Sequence, residues 1–226
     1  MTPLRGQGVL AIWNGIAPGH DAEFLRWHVG EHIPERLSVP GFRRARRYVA
    51  LKAEPAYFNF YEVDDPSVLS SSAYLARLND PTPWTQSVVP YFTDTARTLC
   101  RVADSRGHGV GRAMVALRLP SPETPALSAL VAELVADPDI CAVHLLEQAE
   151  APAASTREQQ MRAQPDETVA AILLIEGADP QAVAQAADRL ADDTAITRAI
   201  GALPLRRGLY TLDFLMDCPL AAHDHP

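Results

Sequence analysis

Apolar residues occur along the chain in short runs separated by turn residues, and these runs predict an alternation of strands and helices. The run at residues 8–13 ends before Asn14-Gly15 and has the length and flanks of a buried strand. Residues 21–33 follow with apolar side chains at positions 25, 29 and 33, a spacing that predicts an amphipathic helix. Pro34 is expected to end this helix, because proline has no amide hydrogen and its ring clashes with the preceding turn.

The same kind of pattern continues through the first hundred residues and then recurs. In the first part we predict further strands at 42–51, 57–63 and 96–102, a helix at about 68–78 and helical turns within 84–94. After a polar hinge at 105–108, we predict strands at 113–119, 140–147, 168–176 and 209–216, with helices at 125–136 and 180–190. Residues 149–165 are polar and rich in Ala and Gln, and they are expected to form a long mobile loop.

The recurring order is β-α-β-β-α-β, which indicates an internal duplication. One such unit forms a four-stranded antiparallel sheet with its helices on one face, the ferredoxin-like plan. Apolar residues such as Ala45, Phe58 and Ile172 leave neither half with a fully polar sheet face. The sheet face that the helices do not cover must therefore also be buried. We therefore predict an α+β fold of two ferredoxin-like repeats, residues 1–106 and 107–226, whose antiparallel sheets pack into a single-chain α/β barrel.

Composition narrows the classes of partner. The 226 residues include 20 Lys and Arg against 28 Asp and Glu, a net charge of −8, which disfavours binding to nucleic acid. No apolar stretch approaches the roughly 20 residues of a membrane span, and no secretory signal is visible at the N-terminus. Three widely spaced cysteines, Cys100, Cys141 and Cys218, fit reduced thiols in a cytoplasm.

His28 and His32 are the most distinctive pair of side chains. Four residues apart on a helix, they share one face, where two imidazoles can act as general acid and base at neutral pH. The same spacing suits a metal, but Glu31 is out of place for the zincin pattern and no third ligand is obvious, so no metal is expected. The structural alternative is a half-buried pair that is hydrogen-bonded to backbone or carboxylates. Gly30 between them suggests close approach by another backbone.

A specific set of residues resembles the EthD-like branch of the dimeric α/β-barrel superfamily: Trp27, His28, His32, Pro34, Pro40-Gly41-Phe42 and a strand ending in Arg47-Tyr48. The resemblance covers residues 8–103, and the second half is similar only in element order. That superfamily includes cofactor-free monooxygenases, polyketide cyclase-like proteins, lactone isomerases and haem enzymes. It implies an active cavity between helices and sheet, with His28 and His32 as the catalytic residues.

The remaining candidates are substrate contacts, and they lie on or near that first repeat: Trp27, Arg47, Tyr48, Tyr61 and Trp84. Trp84 stands in a proline-rich loop, either as a lid or as a plug of the core. The arginines at positions 43, 44, 46 and 47 are expected to form a solvated face or to pair with Glu31 and Glu35, with an anionic substrate as the alternative.

The leading functional hypothesis is a cofactor-independent enzyme of isomerase, cyclase or monooxygenase type that acts on a small aromatic or lactone-like metabolite. The alternative is a non-catalytic module for ligand binding or assembly. A haem enzyme is the third, although the predicted helix 125–136 has no histidine to bind iron. The expected partner is a small-molecule ligand, and outer helices or edge strands leave room for a homodimer of these pseudo-dimers.

Overall fold

The computed structural model describes residues 3–122, 125–150, 155–162 and 165–218. Its strands are β1 Gly8–Ile16, β2 Phe42–Lys52, β3 Tyr57–Val63, β4 Phe92–Gly107, β5 Ala113–Leu119, β6 Ala142–Gln148, β7 Ala171–Gly177 and β8 Arg206–Asp217. Its α-helices are α1 Asp21–Trp27, α2 Ile33–Leu37, α3 Ser72–Asn79, α4 Pro83–Val88, α5 Pro125–Ala136, α6 Arg157–Gln160, α7 Pro180–Leu190 and α8 Asp193–Ile200. A π-helical turn at His28–His32 joins α1 to α2, and short 3₁₀ turns occupy Pro66–Ser70 and Val89–Tyr91. No helix in the described ranges is both long and apolar enough to cross a bilayer.

The eight strands close into one barrel in the order β1-β3-β2-β8-β5-β7-β6-β4, and every neighbouring pair is antiparallel. Within each repeat the order is fourth, first, third, second, which is the ferredoxin-like order. Two seams join the repeats, one between β2 and β8 and the other between β4 and β6. The predicted α+β single-chain barrel is confirmed. The boundary at 106/107 between repeats stays a prediction.

Strand β4 is longer than predicted and runs through the expected hinge. Its first part pairs with β1, and its last part pairs with β6, where Ser105 faces His144 and Gly107 faces Ala142. The polar residues that suggested a hinge therefore belong to the β4–β6 strand pair. Backbone hydrogen bonds between strands form with polar as well as apolar side chains, so the polar sequence did not reveal the strand.

Helical structure also continues past Pro34, contrary to the sequence prediction. The Ile33 amide donates to the His28 carbonyl, an i to i−5 bond that widens the turn just before the proline. Pro34 then occupies the first turn of α2, where a missing amide hydrogen is tolerated. The expected mobile loop at 149–165 is also corrected in its described part, because residues 157–160 form α6, which begins with a capping box at Thr156.

The core has two kinds of layer. Inside the barrel, apolar side chains of all eight strands pack together, and Trp13 stacks on Phe58 with ring centroids 4.2 Å apart. Outside, α5, α7 and α8 cover the sheet of the second repeat, and the helices from α1 to α4 cover the first. Each sheet thus buries both faces, as the prediction of a barrel required.

The barrel interior also holds charge. Arg46 donates to Glu62 of its own repeat at 2.5 Å and to Glu176 of the other repeat at 2.8 Å. The Glu176 carboxylate also contacts the His144 imidazole at 3.0 Å and accepts the Gly111 amide at 2.7 Å. Burial acts to raise the pKa of Glu176, but Arg46 and His144 outweigh it and lower that pKa to about 2.

The prediction of a solvated arginine face is wrong for three of the four arginines, because Arg44, Arg46 and Arg47 are only 8%, 1% and 5% exposed. Arg46 is enclosed because closing the sheet turns one face of β2 into the barrel interior. The expected pairing with Glu31 and Glu35 is also not found for the four arginines. Their carboxylate partners are Asp64 for Arg43, Asp217 and Glu62 for Arg44, Glu62 and Glu176 for Arg46, and Asp213 for Arg47. Glu31 instead accepts from Thr82 and Thr85.

Candidate functional site

The α1–α2 helical segment lies across the outer face of the first repeat's sheet. Phe24 and Trp27 of α1 are fully buried there, and the π-helical turn that follows faces inward with both of its histidines. Such π-helical turns are uncommon and often occur at functional sites. Gly30, on the other side of the turn, faces the Trp84 ring rather than a neighbouring backbone, so the expected backbone approach does not occur.

His28 is 2% exposed and has partners at both ring nitrogens. Its Nε2 lies 3.1 Å from the Tyr61 hydroxyl, and its Nδ1 lies 3.4 Å from a guanidinium nitrogen of Arg47. Because arginine can only donate, Nδ1 must accept, and a neutral ring then carries its hydrogen on Nε2. Burial first, and the nearby Arg47 charge second, hold the pKa of His28 well below its ordinary value, so the ring is neutral at pH 7.

His32 lies beside His28, with ring centroids 5.4 Å apart, and its ring is 4.3 Å from that of Trp27. Its Nδ1 is buried and has no hydrogen-bond partner among the described residues. Burial and the charge of Arg36 hold the pKa of His32 well below its ordinary value. His32 is therefore a neutral imidazole whose buried Nδ1 is unpaired within the described residues.

Arg36 continues the same helix face, four residues after His32, and is 2% exposed. It forms an ion pair with Glu158, which belongs to α6 of the second repeat and is itself buried. A guanidinium nitrogen of Arg162 lies 3.8 Å from a carboxylate oxygen of Glu158. The second repeat thus contributes a charged cover to a cluster of side chains in the first.

The floor of the cluster is the outer face of β3 and its neighbours. Burial raises the pKa of Tyr61 well above its ordinary value, so the phenol stays protonated. Two residues along β3, the Asn59 side-chain nitrogen donates to Asn14 at 2.8 Å, while the Asn59 side-chain oxygen is buried without a partner in the described structure. We call Trp27, His28, His32, Arg36, Arg47 and Tyr61 the histidine cluster.

The structure brings five of the seven predicted site residues into this cluster and leaves two outside. Tyr48 faces the barrel interior, where its hydroxyl accepts from Arg46 at 3.2 Å, because it follows Arg47 on a strand whose side chains alternate. Trp84 lies over Gly30 at the rim, and its indole nitrogen donates to Glu23 at 2.6 Å. Sequence analysis missed Arg36, although its i+4 spacing from His32 was visible, and Glu158, for which no local signal exists.

The cluster is closed in this structure. Neither His28 nor His32 lines any of the three best-defined cavities in the described part of the chain. One cavity is at an open end of the barrel, and the other two lie against α8 on the outside of the second repeat.

Metal and haem chemistry find little support in these side chains. Within the described residues, no group of three or more His, Cys, Asp or Glu side chains has the arrangement of a metal site. In the second repeat, both ring nitrogens of His144 are engaged, by Ser105 at 2.8 Å and by Glu176 at 3.0 Å. His144 therefore does not fit the role of an axial haem ligand, which needs a free imidazole nitrogen.

Comparison with known proteins gives a fold but no sequence family. No family model matches the chain, and no curated protein matches it. Among solved structures, an anthrone oxidase-like protein matches with a TM-score of 0.63 and 14% identity, over 98% of each chain. A protein of Fusobacterium nucleatum, provisionally named a monooxygenase, matches with a TM-score of 0.56 and 8% identity, over 95% of this chain and 96% of that one. A protein provisionally named a chlorite dismutase matches with a TM-score of 0.54 and 12% identity, over 92% and 96% of the two chains.

This chain has the dimeric α/β-barrel fold. The neighbours match nearly the whole length of the chain, so the likeness extends to the second repeat as well as the first. At these identities the likeness establishes the fold alone, and the EthD-like branch stays a prediction.

Proposed function

We propose that the chain is a cofactor-independent enzyme in which the histidine cluster moves a proton on a small aromatic or lactone-like metabolite. The observation that supports this most is the buried, unpartnered Nδ1 of His32, next to the neutral His28. Leaving a buried polar atom unpaired costs about 1–3 kcal/mol, so its retention is reasonable where a ligand pairs with it.

The chemistry follows from the neutral rings. His32 accepts a proton at Nδ1 from an acidic C–H or O–H group of the substrate, and the guanidinium of Arg36 stabilises the anion that forms. The Trp27 indole supplies an aromatic wall. Isomerisation, cyclisation and oxygen insertion all start from such an anion, and for oxygen insertion dioxygen is the co-substrate. The names of the anthrone oxidase-like and monooxygenase neighbours agree with aromatic ketones as the first class of substrate to test.

Substrate entry requires the cover to open, because both imidazoles are buried. The segment that holds Glu158 is the candidate moving part, since it reaches the cluster from the other repeat and is held there by the Arg36–Glu158 ion pair, the hydrogen bond from the Arg157 amide to Asn79 and the packing of Met161. Loop and segment motions of this kind gate many enzyme sites.

The test is turnover of anthrone-type ketones and small lactones in air, followed by mass spectrometry, and exchange of the substrate's acidic hydrogen in D₂O. His32→Gln keeps the size of the side chain and removes the base. We expect it to lower kcat/KM by about 100-fold or more with the fold intact. The matched control is His108→Gln, an exposed histidine in the second repeat, which should be neutral. A folded His32→Gln variant with unchanged turnover and exchange would refute the catalytic assignment.

The second candidate function is a non-catalytic module, and the closed packing of both histidines favours it. In that case His28 has a structural role, and His28→Ala lowers the melting temperature by several degrees while no substrate is turned over. Haem binding has a separate test, because haem-supplemented protein either shows a Soret band or stays colourless.

A further inference from the structure

The open end of the barrel contains a cavity of about 660 Å³ that is distinct from the histidine cluster. Residues of both repeats line it, and its charged members are Glu54, Asp94, Arg118, Glu167 and Arg206. Cavities of this size commonly hold small ligands.

Arg118 is the unusual member of this lining. It shares the interior face of β5 with the buried Met114 and Ala116, and only 5% of it is exposed. Its guanidinium lies 5.2 Å from the Trp13 ring centroid. Within the described ranges it has neither an ion pair nor a side-chain hydrogen bond, whereas the similarly buried Arg36 and Arg46 each contact a carboxylate. Burial, together with the nearby charge of Arg206, lowers the pKa of Arg118.

A buried guanidinium that no carboxylate contacts is costly for the ligand-free protein, because the charge of Glu167 acts on it only from a distance and its N–H groups are left without a paired acceptor. Arg206 makes the position still less favourable, since it lies directly opposite Arg118 in the β5–β8 ladder. An apolar residue would suit this interior position better if packing were the only requirement. The two guanidiniums together provide the donors that an anion would need.

We propose that this cavity binds a small organic monocarboxylate, with Arg118 as the buried anchor and Arg206 as the second contact. With two arginines against Glu54, Asp94 and Glu167, the lining has a formal charge of 2 − 3 = −1, so an anion binds only through direct contact with the guanidiniums, and a single negative charge is repelled less than two. A planar carboxylate also matches the two-donor edge of a guanidinium. The site does not depend on the histidine cluster, because Arg118 faces the barrel interior and the histidines face the outside of the sheet.

Binding is tested on the full chain with acetate, benzoate and phenylacetate as probes, each against sodium chloride at equal ionic strength. Benzyl alcohol is the neutral match for benzoate, and inorganic phosphate, with all probes measured at pH 8, is the dianion. We expect at least one carboxylate to raise the melting temperature and to shift the indole N–H resonance of Trp13 at about 10 mM. Trp13→Phe assigns that resonance.

Arg118→Met should weaken carboxylate binding by about tenfold or more. The same variant should leave the ligand-free melting temperature unchanged or higher, because it removes an unpaired buried charge. Arg112→Met, an exposed arginine just before β5, is the matched control and should bind as the wild type does. The proposal is overturned if none of the three carboxylates produces a shift, if phosphate or benzyl alcohol binds as tightly, or if ligand-free Arg118→Met melts more than about 3 °C lower.

Discussion

Arg46→Met tests whether the charged group inside the barrel holds the two repeats together. Arg46 has no exposed side-chain surface, and its guanidinium donates to Glu62 in the first repeat and to Glu176 in the second. Methionine fills a similar volume but removes the cation that both buried carboxylates contact, so that among the described residues Glu62 keeps only Arg44 at 3.8 Å as an ion-pair partner and Glu176 keeps only the His144 imidazole. Removing one partner from a buried ion pair costs about 3–5 kcal/mol, largely because the remaining charge stays desolvated.

For a chain of 226 residues, 1 kcal/mol corresponds to a shift of about 2 °C, so the melting temperature should fall by about 6–10 °C. The assay is thermal and urea unfolding followed by circular dichroism at pH 7. Arg43→Met is the matched control on the same strand, because Arg43 and its partner Asp64 are both nearly half exposed, at 49% and 45%. Exposed pairs contribute about 1 kcal/mol or less, so this control should shift by no more than about 2 °C.

Coupling between the two repeats gives a second readout. If Arg46 and Glu176 act as a pair, adding Glu176→Gln to Arg46→Met should cost much less than the sum of the two single changes. An Arg46→Met variant that melts within about 2 °C of the wild type, or an Arg43→Met variant that is equally costly, would show that the reasoning from burial is wrong.

Three further predictions concern protonation and backbone geometry. The pKa values of His28 and His32 are held below their ordinary value of 6.5 in the folded state, so the unfolded chain binds more protons than the folded one. The free energy of unfolding should therefore fall as the pH drops below about 6.5, by about 1.4 kcal/mol per pH unit for each ring. Urea unfolding from pH 7 to pH 5 should show a weaker dependence of this free energy on pH in the double variant His28→Asn/His32→Asn, and an equal dependence would contradict the prediction. The pKa of Glu176 is lowered from 4.5 to about 2, so the stability that its ionised form contributes is present above pH 4.5 and is lost as the pH falls towards 2. The Glu176→Gln variant should therefore lose less stability between pH 4.5 and pH 2 than the wild type. Gly201 ends α8 with a φ of +75°, so Gly201→Ala should lower the free energy of unfolding by about 1 kcal/mol in thermal unfolding. Gly30→Ala should leave that free energy unchanged or raise it, because the new methyl group meets only the Trp84 ring at 3.4 Å.

Local patterns predicted most of the elements. The bounds of β3, β5, α5 and α7 match the sequence prediction, because each has a clear apolar period and a strong flanking signal such as Asp179-Pro180. Helix α8 was missed, although Asp192 before it and Gly201 after it are residue types that cap helix ends. The helix bound at Pro34 was wrong because a wide turn before a proline leaves no mark in the apolar pattern.

The site was harder to predict than the fold, because its side chains, like Arg46, have partners that are distant in the chain. Helical spacing alone places His28 and His32 on one face, and the alternation along β3 places Tyr61 opposite them. The partners that complete each group are far away in the chain: Glu158 is 122 residues from Arg36, and Glu176 is 130 residues from Arg46. Contacts over such separations depend on barrel closure, which the order of elements predicts only in outline.

The continuous strand β4 has a consequence for how the two halves can differ. In a homodimer with this barrel, each substitution would appear twice, once on either side of the symmetry axis. Here β4 of the first repeat pairs with β6 of the second, and β2 pairs with β8, so both seams form within one chain and closure does not depend on protein concentration. Each repeat can therefore change by itself. The first has two histidines under its helix, while the second has at the corresponding place the purely apolar buried face of α5.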